Sequence, residues 1–394
     1  MQVGTAELTY CTNIHSAEGW PAVFDNVRRY AIELKARLSP HASFGLGLRL
    51  SNEEAEALSR EDQLEEFAKF LENSGLHVAL INGFPYGWFH GRRLKDQVFA
   101  PDWTQPERVE YTLRLIRILS RLLPEGMDGG VSTCPLSYKP WFRSPEDVNW
   151  DLIIANLLRV FEVLHELKVG RGQYLHLDIE PEPDGLVENT SEFVAFFDRL
   201  LRTAVPRLRE GRFGLAPNVA ESALRDHLAL CYDLCHSAVE FETAETSLEQ
   251  IKTGGIRIGR VQISSAIKMG LPKDSKERAQ VREQLHGLID PVYLHQVIGD
   301  SSRFRDLEDS LPHLETAEGS EWRIHYHVPL FLEKYGLLSS TQAELRNALR
   351  RLAPLGIKHF EIETYTWSVL PPELKIQLVD SIEREYRWVL DHLR

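Results

Sequence analysis

From Tyr174 to Pro183 apolar and ionisable positions alternate, so Leu175, Leu177 and Ile179 share one face of an extended segment and His176, Asp178 and Glu180 the other. Three ionisable groups on one face do not suit the greasy inner side of a two-sheet sandwich. They suit a strand of a (β/α)8 barrel, whose outward residues pack under helices while polar residues near the C-terminal end line the mouth. Glu180 then stands at that mouth.

The same reading predicts the rest of a barrel. LTYCTNIH, ending at His15, puts Thr9, Cys11, Asn13 and His15 on one face; SFGLGLRL sets Phe44, Leu46, Leu48 and Leu50 against Gly45, Gly47 and Arg49, small inward residues that make room. HVALINGFPYG is the third strand, breaking into a loop at Gly83 and Pro85, and DGGVSTCPLSY is the fourth. After the central strand, LALCYDLCHS, GRVQISSA and IKHFEIETYTW read as strands six, seven and eight. Apolar residues at helical spacing predict helices over Pro21 to Leu38, Asn52 to Ser74, 105 to 123, Asn149 to Lys168 and Ser191 to Leu208. RFGLAPNVA, from Arg212, reads as a short extra strand, because the roughly dozen residues before strand six are too few for a full crossover helix. Residues 267 to 322 are charged and without clear periodicity, a long insertion suited to a lid or a partner-binding arm. The predicted fold is α/β, a (β/α)8 TIM barrel over residues 1–394 with that insertion between strands seven and eight.

At 394 residues, with 43% hydrophobic and 26% charged, the chain has ordinary globular composition and can bury a large core. It has no apolar run long enough to span a membrane, and MQVGTAELTY does not read as a secretory leader, so a cytoplasmic protein is expected. Cys11, Cys134, Cys231 and Cys235 match neither a disulfide framework nor a zinc ribbon and read as buried reduced thiols. A net charge of −13 argues against nucleic acid, whose phosphates need clustered Lys and Arg. Small molecules, or other proteins of the same pathway, are the expected partners.

Candidate chemistry gathers at the strand ends. Glu180 closes strand five. Asp233 and His236 form a D-x-x-H at strand six, His325 and His327 share a strand face in RIHYHVPLF, and Glu361 and Glu363 share one in HFEIETYTW. Carboxylates and imidazoles converging on one rim suit a divalent transition metal better than Ca²⁺. The predicted ligands are Glu180, Asp233, His236, His327 and Glu363, around one ion of Mn²⁺, Zn²⁺, Co²⁺ or Mg²⁺. Expected substrate contacts are His15, Arg49, Asn82, His90, Lys95, His176, Gln262, His325 and Glu361. Of these, His90 and Lys95, together with Arg92 and Arg93, belong to an aromatic, basic loop after strand three that could meet a phosphate or carboxylate, or could be a solvated turn.

The order of Glu at strand five, D-x-x-H at strand six and Glu at strand eight resembles the xylose isomerase-like TIM barrels, which include sugar epimerases and endonuclease IV-type nucleases. NIHSAEGW, NGFPYGWFHG, LKDQVFAPDW, STCPLSYKPW, CYDLCHSAVEFE, VQISSAIK, HYHVPLF and ETYTW together resemble the protein E family of the ebo metabolite-traffic clusters, over nearly the whole chain. The epimerase likeness implies a metal-dependent isomerase or epimerase acting on a sugar, sugar phosphate or cyclitol-like polyol. In it Glu180 and Glu363 are metal ligands that double as the two bases, and Asp233 is a further ligand. Strand seven departs: Gln262 stands where the epimerases place a histidine, so either His327 or His236 fills the gap, or the metal is bound weakly, or there is none. A metal-dependent phosphoester hydrolase and a non-catalytic metabolite-binding component on the same barrel are the alternatives.

Overall fold

The computed structural model describes residues 1–88, 94–366 and 377–393. Seven parallel strands follow in chain order: β1 (Ala6–Tyr10), β2 (Phe44–Arg49), β3 (Leu76–Asn82), β4 (Gly129–Thr133), β5 (Leu175–Ile179), β6 (Leu228–Asp233) and β7 (Ile258–Ile263). The insertion adds β8 (Ser265–Gly270), β9 (Val297–Gly299), β10 (Glu321–Val328) and β11 (Leu338–Ser340) before β12 (His359–Ile362) returns to the main sheet. That sheet runs β1-β12-β7-β6-β5-β4-β3-β2, and a parallel bridge between Cys11 and Gly47 brings its two ends together. The architecture is the expected α/β barrel.

Its outer face is apolar for the reason the alternation gave. Leu46, Val78, Val131, Leu177 and Val261 are buried with helix residues such as Leu115, Ile116, Leu157 and Phe161 in one core cluster. The interior departs from the aliphatic layers usual in such barrels. A fully buried Arg260 on β7 donates Nε to Asp178 (2.9 Å) and Nη1 to Glu361 (3.1 Å), and its other nitrogen to the carbonyls of Gly130 and Ile81. His176 Nδ1 meets the second oxygen of Asp178 at 2.5 Å. Glycines leave the space this network fills: a Cβ at Gly47 would lie 1.6 Å from Glu361 Oε1, and one at Gly259 1.9 Å from Asp178 Oδ1.

Two segments differ from the sequence reading. Arg212 to Ala220 is not a strand: after a turn, Pro217 opens the helix Pro217–His227, which presents Ala220, Ala223, Leu224 and His227 at helical spacing and runs directly into β6. The second half of the crossover is therefore an eleven-residue helix, short enough for the space available. The insertion is regular, and larger than 267 to 322. Strands β8 to β11, with two-residue strands at Arg303–Phe304 and Lys334–Tyr335, form a six-stranded antiparallel sheet. That sheet and the helix Ser275–His286 share an apolar cluster of their own, with Ile267, Leu285, Val297, Trp322 and Tyr326 in it.

Against the barrel, Glu385 on the closing helix Leu378–Leu393 is buried; it accepts hydrogen bonds from Thr364 Oγ1 (2.8 Å) and the Leu330 amide (3.3 Å). Burial pushes its carboxyl from 4.5 up to about 8, the two hydrogen bonds only partly opposing it. The folded protein thus keeps a proton that the unfolded chain loses near pH 4.5. Because the folded value is raised, stability from this group is intact below pH 4.5 and falls as pH rises through about 8. Glu385→Gln should flatten that fall and leave the variant more stable than the parent by a few kcal/mol at pH 8, at ~1.4 kcal/mol per pH unit of separation. Urea melts at pH 5 and pH 8 check it; equal pH slopes in both proteins would contradict it.

Candidate metal centre at the barrel mouth

The C-terminal strand ends deliver their side chains to one small cavity of about 50 Å³. Glu180 follows β5, Glu363 follows β12, Asn82 ends β3 and Asn13 follows β1, all in its lining; Asp233, which ends β6, lies outside the lining but within reach of Glu180 and Glu363. Glu180, Asp233 and Glu363 each offer a carboxylate oxygen, all within 4.8 Å of one another.

The surroundings orient these carboxylates. Asn13 Nδ2 and Asn82 Nδ2 both donate to Glu363 Oε1, at 2.9 and 3.0 Å, which leaves Oε2 turned to other work. Asp233 caps the helix Leu234–Val239: its Oδ1 accepts from the amides of Cys235 (2.6 Å) and His236 (3.0 Å) and from Ser264 Oγ (2.8 Å). Its Oδ2 is buried without a hydrogen-bond partner. Burial, and then the neighbouring carboxylates, hold Glu180, Glu182 and Glu363 well above the ordinary carboxyl range. Clustered buried carboxyls of this kind bind protons or a cation, and an orphaned ligand oxygen among them fits a divalent metal.

A metal ion takes deprotonated ligands, so raised carboxyls make binding release protons. Affinity for Mn²⁺ should therefore climb as pH rises from 5 to 8, and calorimetry in buffers of different protonation enthalpy should register that release. A pH-independent affinity would contradict the raised carboxyls.

Beside the carboxylates stand three imidazoles. His236 Nε2 lies 3.1 Å from His325 Nε2, which lies 3.1 Å from His327 Nε2, and the third side of the triangle is 3.3 Å. Burial, and then neighbouring imidazoles, push His325 well below its ordinary value, and burial brings His327 to about 4. His325 and His327 both come from β10, where Trp322, Ile324 and Tyr326 turn into the apolar cluster of the insertion.

Of the expected site residues, the structure brings Glu180, Asp233, His236, His325, His327, Glu363, Asn82 and Arg49 to this mouth. Arg49 also braces the loop after β3, donating to Glu54 Oε2 (3.2 Å) and to the carbonyls of Pro85 and Gly87. His15 lines an adjoining recess with Thr12 and Asn13, stacked on Tyr30 at 4.2 Å. His176 and Glu361 are placed elsewhere: they lie one layer deeper, outside the cavity lining, with His176 Nδ1 on Asp178 and Glu361 Oε2 on Arg260, while His176 Nε2 and Glu361 Oε1 are buried without a hydrogen-bond partner. Gln262 is fully buried and accepts from the Cys231 thiol at 3.0 Å, outside the cavity lining. Lys95 turns to the insertion, donating to the carbonyls of Asp290 (2.9 Å) and Tyr293 (2.8 Å) and pairing with Asp306. His90, with Arg92 and Arg93, lies outside the described residues.

Sequence reasoning missed Asn13 as the amide that fixes Glu363, Ser264 as the hydroxyl that fixes Asp233, and Glu182. Glu182 continues the alternation through Glu180, and that signal was there to extend. The four cysteines are free and buried, as expected. No helix among the described residues is long and apolar enough to cross a membrane.

Solved structures resemble this barrel. A xylose isomerase domain protein from Planctomyces limnophilus aligns over 99% of this chain and 97% of its own at 12% identity, with a TM-score of 0.51. A xylose isomerase-like TIM barrel protein from Mycobacterium smegmatis, in complex with magnesium, aligns over 99% and 97% at 13% identity, also with a TM-score of 0.51. The fold is therefore that of the xylose isomerase-like TIM barrels. No protein-family profile matches the chain, and no curated protein matches it.

Proposed function

We propose that this protein is a divalent-metal-dependent isomerase or epimerase of a sugar, sugar phosphate or cyclitol-like polyol. The observation that carries the reading is the convergence of Glu180, Asp233 and Glu363 within 4.8 Å at the mouth of this barrel, two of them pinned by side-chain donors. The magnesium in the Mycobacterium smegmatis barrel is in keeping with one ion here, Mn²⁺, Zn²⁺, Co²⁺ or Mg²⁺, held by these carboxylates. His327 and His236 are the nearest replacements for the family histidine at Gln262.

When bound, such an ion polarises carbonyl and hydroxyl oxygens and makes the carbon between them more acidic. The proton transfer itself falls to the chain's own carboxylates. Glu180 and Glu363 come from β5 and the end of β12, with β6 and β7 between them, so they approach the cavity from different sides. One removes the proton and the other returns it, which inverts a centre or moves a carbonyl. Asn13 and Asn82 hold Glu363 in place for this step, and Arg49 at the rim offers a charge for an anionic substituent. The motif likeness to the ebo protein E family supports a place in a biosynthetic or metabolite-traffic pathway, and the free buried thiols support a cytoplasmic one.

The test is solvent deuterium incorporation. Sugars, sugar phosphates and cyclitols are incubated in ²H₂O with Mn²⁺-loaded protein; a deuteron fixed at carbon supports the reading. Inorganic phosphate release without deuterium would replace it with the second reading, a phosphoester hydrolase, which the imidazoles beside the carboxylates favour because hydrolysis commonly uses two ions. Ligand binding with neither product would leave a metabolite-binding component.

A further inference from the structure

The opposite end of the barrel carries a group of donors that nothing at the mouth uses. Asp128 precedes β4, His176 is the second residue of β5 and His359 opens β12, so all three sit at the N-terminal ends of their strands. His176 lies four positions before Glu180 and His359 four before Glu363, about 13 Å along a strand at ~3.3 Å per residue. The Arg260 network, with Asp178 and Glu361 in it, occupies the level between. These three residues are therefore separate from the carboxylate centre, and share no ligand with it.

Both imidazoles are buried and short of partners. His176 Nδ1 stands 2.5 Å from Asp178 Oδ1, a carboxylate oxygen that accepts, so Nδ1 carries the hydrogen and in the neutral ring Nε2 is a bare lone pair. That Nε2 and both nitrogens of His359 have no hydrogen-bond partner among the described residues. Asp128 spends Oδ2 on Arg257 Nη2 at 2.9 Å. Its Oδ1 lies 3.3 Å from His359 Nε2, within ion-pair range but out of line for a hydrogen bond. Asp128, His176 and His359 each offer a donor atom, all within 4.8 Å of one another. A proton on His359 Nε2 would serve Asp128 and leave His176 Nε2 unsatisfied, whereas a metal ion takes all three. Donors ~2.0–2.1 Å from a tetrahedral Zn²⁺ stand about 3.4 Å apart, a spacing that Asp128 Oδ1 and His359 Nε2 already have.

We propose that Asp128 Oδ1, His176 Nε2 and His359 Nε2 form a second metal site, at the floor of the barrel, that takes one Zn²⁺-class ion. Imidazole donors select Zn²⁺, Co²⁺ or Ni²⁺ over Mg²⁺ and Ca²⁺. The Asp128 side chain is 22% exposed, so the ion enters from the floor and water completes its shell. A second layer aims the ligands: Asp178 holds His176 Nδ1 and Arg257 holds Asp128. Glu7, opposite His359 in the pairing of β1 with β12, has Oε2 buried without a partner and supplies the acceptor for His359 Nδ1. In the sheet order β12 is separated from β5 and β4 by β7 and β6, so one ion would tie strands across the barrel interior. Its work is to brace the floor, since the chemistry of such barrels gathers at the other end.

Anomalous diffraction at the zinc edge, on crystals of the whole chain grown with Zn²⁺, tests the site without any variant. A peak bounded by Asp128, His176 and His359 is expected; peaks at the mouth alone, or none, overturn the proposal. Chelator competition in solution adds the second arm. Asp128→Asn and His359→Gln should each weaken one bound Zn²⁺ at least about 100-fold, and Glu180→Gln should leave that ion within a few-fold of the parent. Zn²⁺ should also raise the melting temperature of Glu180→Gln but not that of Asp128→Asn, because an ion that binds only the folded chain stabilises it. Unchanged zinc binding in both floor variants, with parental circular dichroism, overturns the proposal. Loss of Mn²⁺ binding by the mouth carboxylates would sink the isomerase reading while leaving the floor result standing.

Discussion

Arg260→Met should destabilise the barrel by about 3–5 kcal/mol, the cost of leaving buried charges without their partner. Arg260 is fully buried and divides its guanidinium between Asp178, Glu361 and two strand carbonyls, so the substitution strands two carboxylates and two backbone acceptors at once. Methionine fits the stem and replaces none of the donors. The two carboxylates would then take up protons, so the loss should be smaller at pH 5 than at pH 8. Chemical denaturation at both pH values measures this, and a loss under about 1 kcal/mol at pH 8 would mean that the network is not what holds the interior together. Adding Asp178→Asn and Glu361→Gln to Arg260→Met should recover part of the stability, since the uncompensated charges are then gone.

The second large effect falls on chemistry. Glu180→Gln and Glu363→Gln each keep side-chain volume but remove a proton acceptor, and positioned acid–base groups are worth about 10²–10⁴-fold in rate. Each variant should lose deuterium incorporation by at least that factor while folding normally. Asn82→Ala should cost less, because Asn13 still donates to the same oxygen of Glu363 at 2.9 Å. Full exchange in Glu363→Gln would remove it from the reaction.

Much of this was legible from alternation. Strand β5 separates Leu175, Leu177 and Ile179 from His176, Asp178 and Glu180, and its geometry follows that division. What alternation cannot give is depth along a strand. His176, Asp178 and Glu180 share a face, yet only Glu180 reaches the mouth; the other two lie deeper, within reach of Arg260 or its partners. Glu361 and Glu363 divide the same way. The deep partner, Arg260, sits in GRVQISSA with nothing nearby in sequence to mark it, since its contacts come from strands up to 179 positions away.

The insertion was harder for a different reason. Its other strands are two to six residues long, too short to show a period, whereas β10 alternates plainly, Trp322, Ile324 and Tyr326 against Arg323, His325 and His327. The register shift between Ile324 and Val328 belongs to the pairing of β10 with β8 and leaves no mark in the sequence. Arg212 to Ala220 misled because Phe213 and Leu215 alternate like a strand, while Pro217, which opens helices well, went uncounted.

The most direct measurement is Mn²⁺ titration into metal-free protein, followed by the loss of the free-ion electron paramagnetic resonance signal, for the parent, Glu180→Gln and Glu363→Gln. Mn²⁺ prefers oxygen donors and therefore reports on the carboxylate group. Saturable binding in the parent, weakened at least about 100-fold in both variants, is the expected result, as removal of a ligand from a small donor set requires. Equal binding in all three proteins, or none in the parent, would contradict a metal centre built on Glu180, Asp233 and Glu363.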